Sequence, residues 1–311
     1  MIKIIGFILF VIMVIHGGQC HDRVSLIHQL QPLVKVHLDS KKLAEDGDLT
    51  LTAQIKHGKQ EEALALISQM TWLTRLFIAN NGIDTLPDSF GDLTELTVLD
   101  VSQNNLTSLP DRLGDMTQLQ ELDVQKNQLT HLPDSINKLI NLDSLDASSN
   151  RLSSLPEKMN SLVTLKTLNV ASNTLSSLSE SVRELGQLEN LAIADNAFVS
   201  LPEWLGDLTQ LEILNIRRNK LTMFPTIIFS LPRLDTLNAG ENPLTEIPER
   251  LSELSHLQTL SFEKSPDLQM FPSSLANLTA LQEINLKDCP KIPEKIKSDL
   301  KDLFGKKLIL I

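Results

Sequence analysis

The chain carries only two cysteines, Cys20 and Cys289, among 311 residues. That excludes the disulfide framework on which small secreted domains depend, so stability has to come from buried apolar surface. Lysine and arginine never exceed two in a row outside the interleaved segment Lys291–Lys307, and the net charge is −11. An acidic chain without a basic patch is repelled by phosphate groups, which removes nucleic acid and anionic lipid from the expected partners. The longest apolar run, Ile4–Ile15, falls well short of the roughly 20 residues that a bilayer span needs. Leu308–Ile311 is too short for a C-terminal anchor tail, so no transmembrane anchor is expected.

The signatures of catalysis are missing too. None of the histidines (His16, His21, His28, His37, His57, His131, His256) stands in an H-E-x-x-H motif or beside a cysteine pair. There is no G-x-S-x-G elbow and no glycine loop that could cradle phosphate. The sequence therefore predicts no catalytic residue, no metal and no cofactor.

What is present begins with a leader. Lys3, the run Ile4–Ile15 and the segment His16-Gly17-Gly18-Gln19-Cys20 have the three-part layout of a secretory signal peptide. Cleavage is expected after Cys20, with Gly18 as the alternative. The short apolar centre disfavours an uncleaved anchor, and Gln19 disfavours a lipid-modified Cys20. Removal of residues 1–20 leaves Cys289 as the sole thiol. Residues 21–72 follow without repeats; Val24–Leu30 and Glu61–Leu66 have helical apolar spacing, with a turn signal at Asp46-Gly47-Asp48. They predict a helical N-terminal cap, which a repeat stack needs to shield its first open edge.

From Leu73 a 23-residue unit repeats without a gap. Its leading leucine recurs at Leu73, Leu96, Leu119, Leu142, Leu165, Leu188, Leu211, Leu234 and Leu257. A fixed period of this size means stacked coils, none of which can bury its apolar face alone. Counting from that leucine, positions +3 and +5 (Leu122 and Val124, for example) alternate as in a strand and face inward, while +4 faces out. Position +8 is asparagine: Asn81, Asn104, Asn127, Asn150, Asn173, Asn196, Asn219 and Asn242. An amide offers a donor and an acceptor to the backbone of a buried turn, so these asparagines are expected to be structural. A Leu-Pro step at +13 and +14 opens a short helical stretch with apolar residues at +17 and +20. The fifth repeat has Ser179 in place of proline. The ninth has Ser265 in place of asparagine and one extra residue, and Cys289 holds the asparagine position of a truncated tenth. Such decay suits a capping end, and Cys289 is expected to be a buried small residue.

The unit Leu96-x-x-Leu99-x-Val101-x-x-Asn104-x-Leu106-x-x-Leu109-Pro110 resembles the leucine-rich repeat family, in particular its Ras-suppressor class, over residues 73–289. The resemblance implies an α/β leucine-rich repeat solenoid, a right-handed horseshoe with a parallel sheet on the concave face and short helices or turns on the convex face. It implies about ten repeats over residues 73–288, a C-terminal cap over 289–311, and protein binding on the concave face. It also implies the alternative of an intracellular scaffold for small GTPase signalling of the Ras type, since most members of that class act inside cells.

Several residues are candidates for contact with a ligand. The +4 column starts with Phe77, Asp100, Asp123 and Asp146. Carboxylates on neighbouring strands lie ~5 Å apart and repel, which a basic peptide or a weakly bound calcium ion would relieve; otherwise they are solvated charges. Arg217 and Arg218 form a basic step that suits a carboxylate or sulfate, unless Glu241 and Glu263 neutralise it. The +6 column is small through the middle (Ser102, Ser148, Ala171, Ala194, Gly240), which permits close approach. On the convex side Trp204 and Ile227 stand in a mostly polar column with Phe229 nearby, an apolar interface unless they fold onto their own repeats. Asn105-Leu106-Thr107 and Asn277-Leu278-Thr279 are glycosylation sequons. Together these predict a secreted, extracellular, non-enzymatic recognition protein that takes a protein or polysaccharide ligand on its concave face, in host defence or adhesion.

Overall fold

The computed structural model describes residues 20–36, 50–305 and 308–309. The expected leader lies outside them apart from Cys20, as does the turn at residues 46–48. The chain forms two compact units, residues 1–145 and 146–311.

The first unit opens with helix α1 (Cys20–Leu30) and strand β1 (Val34–Val36), which pairs antiparallel with β2 (Thr50–Ile55). Helix α2 (Gln60–Ile67) follows and buries Ala63, Leu64 and Ile67. Strands β3 (Arg75–Phe77), β4 (Val98–Asp100) and β5 (Glu121–Asp123) then add in parallel, and β2 joins them, with Leu51, Leu76, Leu99 and Leu122 in register. The expected helical cap thus also holds a hairpin, and the parallel array begins one strand before the first full repeat. The alternation Leu51, Ala53, Ile55, all buried, explains why this segment is a strand. Strand β6 (Ser144–Asp146) stands at the division between the units.

The second unit contains β7 (Thr167–Asn169), β8 (Asn190–Ala192), β9 (Ile213–Asn215), β10 (Thr236–Asn238), β11 (Thr259–Ser261) and β12 (Glu283–Asn285), all parallel. Leu168, Leu191, Leu214, Leu237, Leu260 and Ile284 are in register. The unit closes with helix α3 (Glu294–Phe304), and with β13 (Leu308–Ile309) parallel to β12. The architecture is that of a leucine-rich repeat solenoid.

Strands β3 to β12 have three residues each, and the middle one points into the core. Leu76, Leu99, Leu145, Leu168, Leu191, Leu214 and Leu237 are fully buried, each contributing roughly 1.5–3 kcal/mol of transfer free energy. Across the strands run five-residue 3-10 helices, such as Asp88–Asp92 and Glu203–Asp207, whose apolar residues Phe90 and Leu205 complete the core. Pro87 precedes the first in extended conformation (φ −70°, ψ 150°), and its carbonyl accepts the Phe90 N–H at 3.0 Å. Ser179 does the same without the ring (φ −63°, ψ 139°), accepting Val182 N–H at 3.1 Å, which is why the fifth repeat tolerates the exchange.

The asparagine column works as the sequence suggests. Asn104 Oδ1 accepts the N–H of Asn81 at 2.9 Å and of Ile83 at 3.1 Å. Its Nδ2 donates to the carbonyls of Ile78, Val101 and Ser102 at 3.0, 2.9 and 3.2 Å. The residue just before each ladder position, the eight asparagines and then Ser265 and Cys289, has a positive φ, from Asn80 (55°) to Asp288 (56°), and none of these ten is glycine. Asn81 extends the pattern into the cap: its Oδ1 accepts Ile55 N–H and its Nδ2 donates to Ala53. At Ser265 the ladder lapses, and its fully buried Oγ has no hydrogen-bond partner.

Candidate functional site: the open face of the sheet

The core side of each strand is filled, so the opposite side is where a ligand can meet ordered side chains. Its +4 column has a local duty first. Asp100, Asp123 and Asp146 each direct Oδ1 to the backbone N–H two residues on, at Ser102, Gln125 and Ser148, all at 2.9 Å. Asn169, Asn215, Asn238 and Asn285 do the same with Ala171, Arg217, Gly240 and Lys287 at 3.0–3.3 Å. Asp, Asn and Ser recur here because a short side chain with an acceptor can close the turn on leaving the strand.

Asp100 and Asp123 are brought into register on β4 and β5 as expected. Asp123 Oδ2 also accepts from Gln125 Nε2 at 2.9 Å, and Asp146 Oδ2 accepts from Asn169 Nδ2 at 2.9 Å. Among the described residues no group of three or more His, Cys, Asp or Glu side chains is placed to hold a metal ion. Phe77, in register with Asp100, is half-buried beneath the Arg75 guanidinium at 5.7 Å.

Arg217 and Arg218 lie past the end of β9, because the backbone turns to positive φ at Arg218. Both pair with Glu241, Arg218 at 3.4 Å, and Arg218 also reaches Asp195 at 3.7 Å. Glu263 pairs with Lys264 at 3.5 Å instead of with either arginine. The basic step is largely neutralised by its neighbours. The small +6 column answers to packing: Ser102 and Ser148 are buried, and a Cβ on Gly240 would stand 2.5 Å from the Glu263 carbonyl oxygen.

Trp204, Ile227 and Phe229 sit on two successive 3-10 helices, and all are half-buried. Phe229 stacks on Phe224 (centroids 5.6 Å apart) with Arg250 4.8 Å above its ring. Ile227 Cδ1 lies 2.8 Å from where a Gly206 Cβ would stand, so this residue packs onto the preceding repeat. Within the repeats, more exposed apolar side chains include Met223 (80%), Val199 (65%) and Met270 (55%), in variable positions that the repeat pattern gave no reason to single out. An open cleft of about 560 Å³ lined by Glu212, Arg233, Asp235, His256, Gln258 and Gln282 was likewise unmarked; Arg233 pairs there with Glu212.

Both sequon asparagines are exposed. Asn105 Nδ2 donates to Asp84 Oδ1 at 3.2 Å, and Asn277 ends a 3-10 helix with its carbonyl accepting Thr279 N–H at 2.9 Å. Cys289 is buried, and that burial pushes its thiol pKa up, which suits a structural residue. No helix among the described residues is long and apolar enough to cross a membrane.

A family model described as a leucine-rich repeat region matches residues 49–151 and 135–239. No curated protein sequence matches the chain. Among solved structures, the chain is similar to a leucine-rich repeat protein of Leptospira interrogans, at 24% identity over 79% of this chain and 86% of that one, with a TM-score of 0.54. It is similar to the TDR receptor at 27% identity, covering 72% of this chain but 46% of the receptor's, with a TM-score of 0.57. It is also similar to a chain in the octameric complex of Latrophilin 3, Unc5D and FLRT2, at 20% identity over 78% and 84% of the two chains, with a TM-score of 0.59.

Proposed function

The chain belongs to the leucine-rich repeat family, and on that premise we propose that it is a secreted, non-enzymatic recognition protein whose open sheet face captures a protein or surface-polymer ligand. The observation that carries this reading is the fixed side-chain column of that face. Each +4 Asp or Asn is held by its own turn, so little freedom is lost when a partner arrives. The likeness to the TDR receptor supports a recognition role, and the 23-residue unit supports the Ras-suppressor class. Asp100 and Asp123 give the first unit an acidic stretch suited to basic groups, whereas Arg217 and Arg218 are held by Glu241. Host defence and adhesion both need such a surface.

Secretion is tested by expressing the tagged full chain in eukaryotic cells and sequencing the N-terminus of protein recovered from the medium. A start at His21, or at Gln19 for the alternative cleavage, is the expected result. Retention inside the cell with residues 1–20 intact would favour the intracellular scaffold instead. Glycosidase treatment of the secreted protein should remove mass if Asn105 or Asn277 is occupied, and N105Q and N277Q assign the glycans.

A further inference from the structure

The turn bond made by each +4 side chain decides which of its atoms is left for a partner. In the second unit Asn215 Oδ1 accepts Arg217 N–H at 3.2 Å, Asn238 Oδ1 accepts Gly240 N–H at 3.3 Å, and Asn285 Oδ1 accepts Lys287 N–H at 3.0 Å. An amide has one oxygen, so what each asparagine turns away from the turn is an NH₂ group with two donors. Among the described residues these three nitrogens have no hydrogen-bond partner. Asn169, in the same pose, already gives its Nδ2 to a carboxylate oxygen, Asp146 Oδ2, at 2.9 Å. The geometry is therefore one from which an amide can donate. The same turn leaves Asp100 with the opposite polarity, a free carboxylate oxygen that can only accept.

Asn215, Asn238, Ser261 and Asn285 stand in register on adjacent strands, spaced at ~4.8 Å. Ser261 also commits its oxygen, accepting Glu263 N–H at 3.4 Å, which leaves its hydroxyl proton as a further donor. All of them are half-buried, where a hydrogen bond gains strength over one in open water. Ala192, in register with Asn215, has no polar group and little bulk, so the end of the row is unobstructed.

Building on the proposed capture by the open face, we propose that this row binds an extended peptide through its main-chain carbonyl groups. An amide N–H donates to a neutral carbonyl as well as to a carboxylate, and an extended peptide carries one carbonyl per residue with none satisfied internally. The chain's own net charge of −11 disfavours an anionic ligand on general electrostatic grounds. Ile213, 38% exposed on the same strand as Asn215, offers an apolar contact to one side chain of the peptide. A sugar polymer would gain more from a flat apolar platform. The parallel +2 column of this unit (Thr167, Asn190, Ile213, Thr236, Thr259, Glu283) contains no aromatic ring.

The test uses the full chain to select binders from a random linear peptide library displayed on phage, followed by affinity measurements on the enriched synthetic peptides. N215D/N238D retains Oδ1, hence the turn, and exchanges the outward donor for an acceptor. Its affinity should fall by roughly tenfold or more for each position, with an unchanged unfolding midpoint. The loss should persist at high salt; a loss that vanishes there marks charge repulsion and overturns the donor row. If N215D/N238D binds like the wild type while D100N/D123N does not, the peptide docks on the acidic stretch: the donor row is wrong and face capture stands. If neither double variant changes affinity, both readings fall. Enrichment of no peptide, or binding to a neutral polysaccharide such as dextran in preference to any peptide, also overturns the assignment.

Discussion

The thiol of Cys289 donates to the Phe262 carbonyl at 3.1 Å, the bond that asparagine supplies in earlier repeats, as Asn104 does to Ile78 at 3.0 Å. The sulfur also approaches the Lys287 carbonyl at 3.6 Å, matching the Asn104 contact to Ser102. Cysteine thus stands in for the ladder amide with weaker groups, its thiol donating and its sulfur accepting the Ser265 backbone N–H, as Asn104 Oδ1 accepts that of Asn81. Because burial raises its pKa, the native thiol should react slowly with iodoacetamide and quickly once urea unfolds the chain. Mass spectrometry of labelled protein reads the difference, and fast native labelling would contradict a structural role.

Neighbouring asparagines should differ sharply in their effect on stability. Asn104→Ala strips partners from two buried N–H groups and three carbonyls and should cost about 1–3 kcal/mol or more. Asn105→Ala, at an exposed position, should stay within about 0.5 kcal/mol of the wild type. Urea unfolding of the two variants gives the comparison, and equal losses would remove the ladder from the account.

Two glycines make an opposed pair. A Cβ at Gly240 would meet backbone of Glu263 at 2.5 Å, so Gly240→Ala should destabilise by about 1–3 kcal/mol through forced displacement. A Cβ at Gly186 meets nothing within 4 Å, and Gly186→Ala should stabilise by about 0.4–1 kcal/mol by narrowing the unfolded ensemble. Thermal unfolding midpoints moving in opposite directions would bear this out; a stabilising Gly240→Ala would show that the coils have slack there.

Glu249 supplies a pH dependence. Its carboxylate accepts the N–H groups of Ser274 and Ser273, each at 3.1 Å, and these bonds hold its pKa below the usual carboxylate value. A carboxylate with a lowered folded pKa stabilises fully above its unfolded pKa, and that contribution fades as pH falls through the folded one. Glu249→Gln should therefore lower the unfolding midpoint at neutral pH and shrink its decline on acidification. Parallel acid titrations of the two proteins would fail the idea if their midpoints fell in step.

The repeat frame, the buried leucine columns and the asparagine ladder could be read from spacing alone, because a period fixes which positions meet from coil to coil. Strand β2 escaped because Leu51, Ala53 and Ile55 alternate without the leucine frame that marked the others. The role of Asp100 and Asp123 was half legible. Residue type placed them on the open face, yet which oxygen serves Ser102 or Gln125 and which remains depends on the turn geometry. Pairing of Glu263 with Lys264 in place of the arginines depends on side-chain reach past the strand, beyond what column counting resolves. Trp204 and Ile227 looked conspicuous in a polar column with Phe229 nearby, but Phe224 and, from the next repeat, Arg250 enclose Phe229.

The ten left-handed residues ahead of the ladder have a bearing on how such a protein can change. A non-glycine side chain in that conformation costs roughly 1–2 kcal/mol, and the neighbouring amide bonds hold it there whatever its chemistry. Asn80, Gln103, Lys126, Ser172, Asp195, Arg218 and Glu241 all occupy the same bend, so amides, hydroxyls and both signs of charge are interchangeable at one spot per coil. A lineage carrying this chain could redraw the electrostatic pattern bordering its sheet letter by letter, while the leucines beneath never register the change.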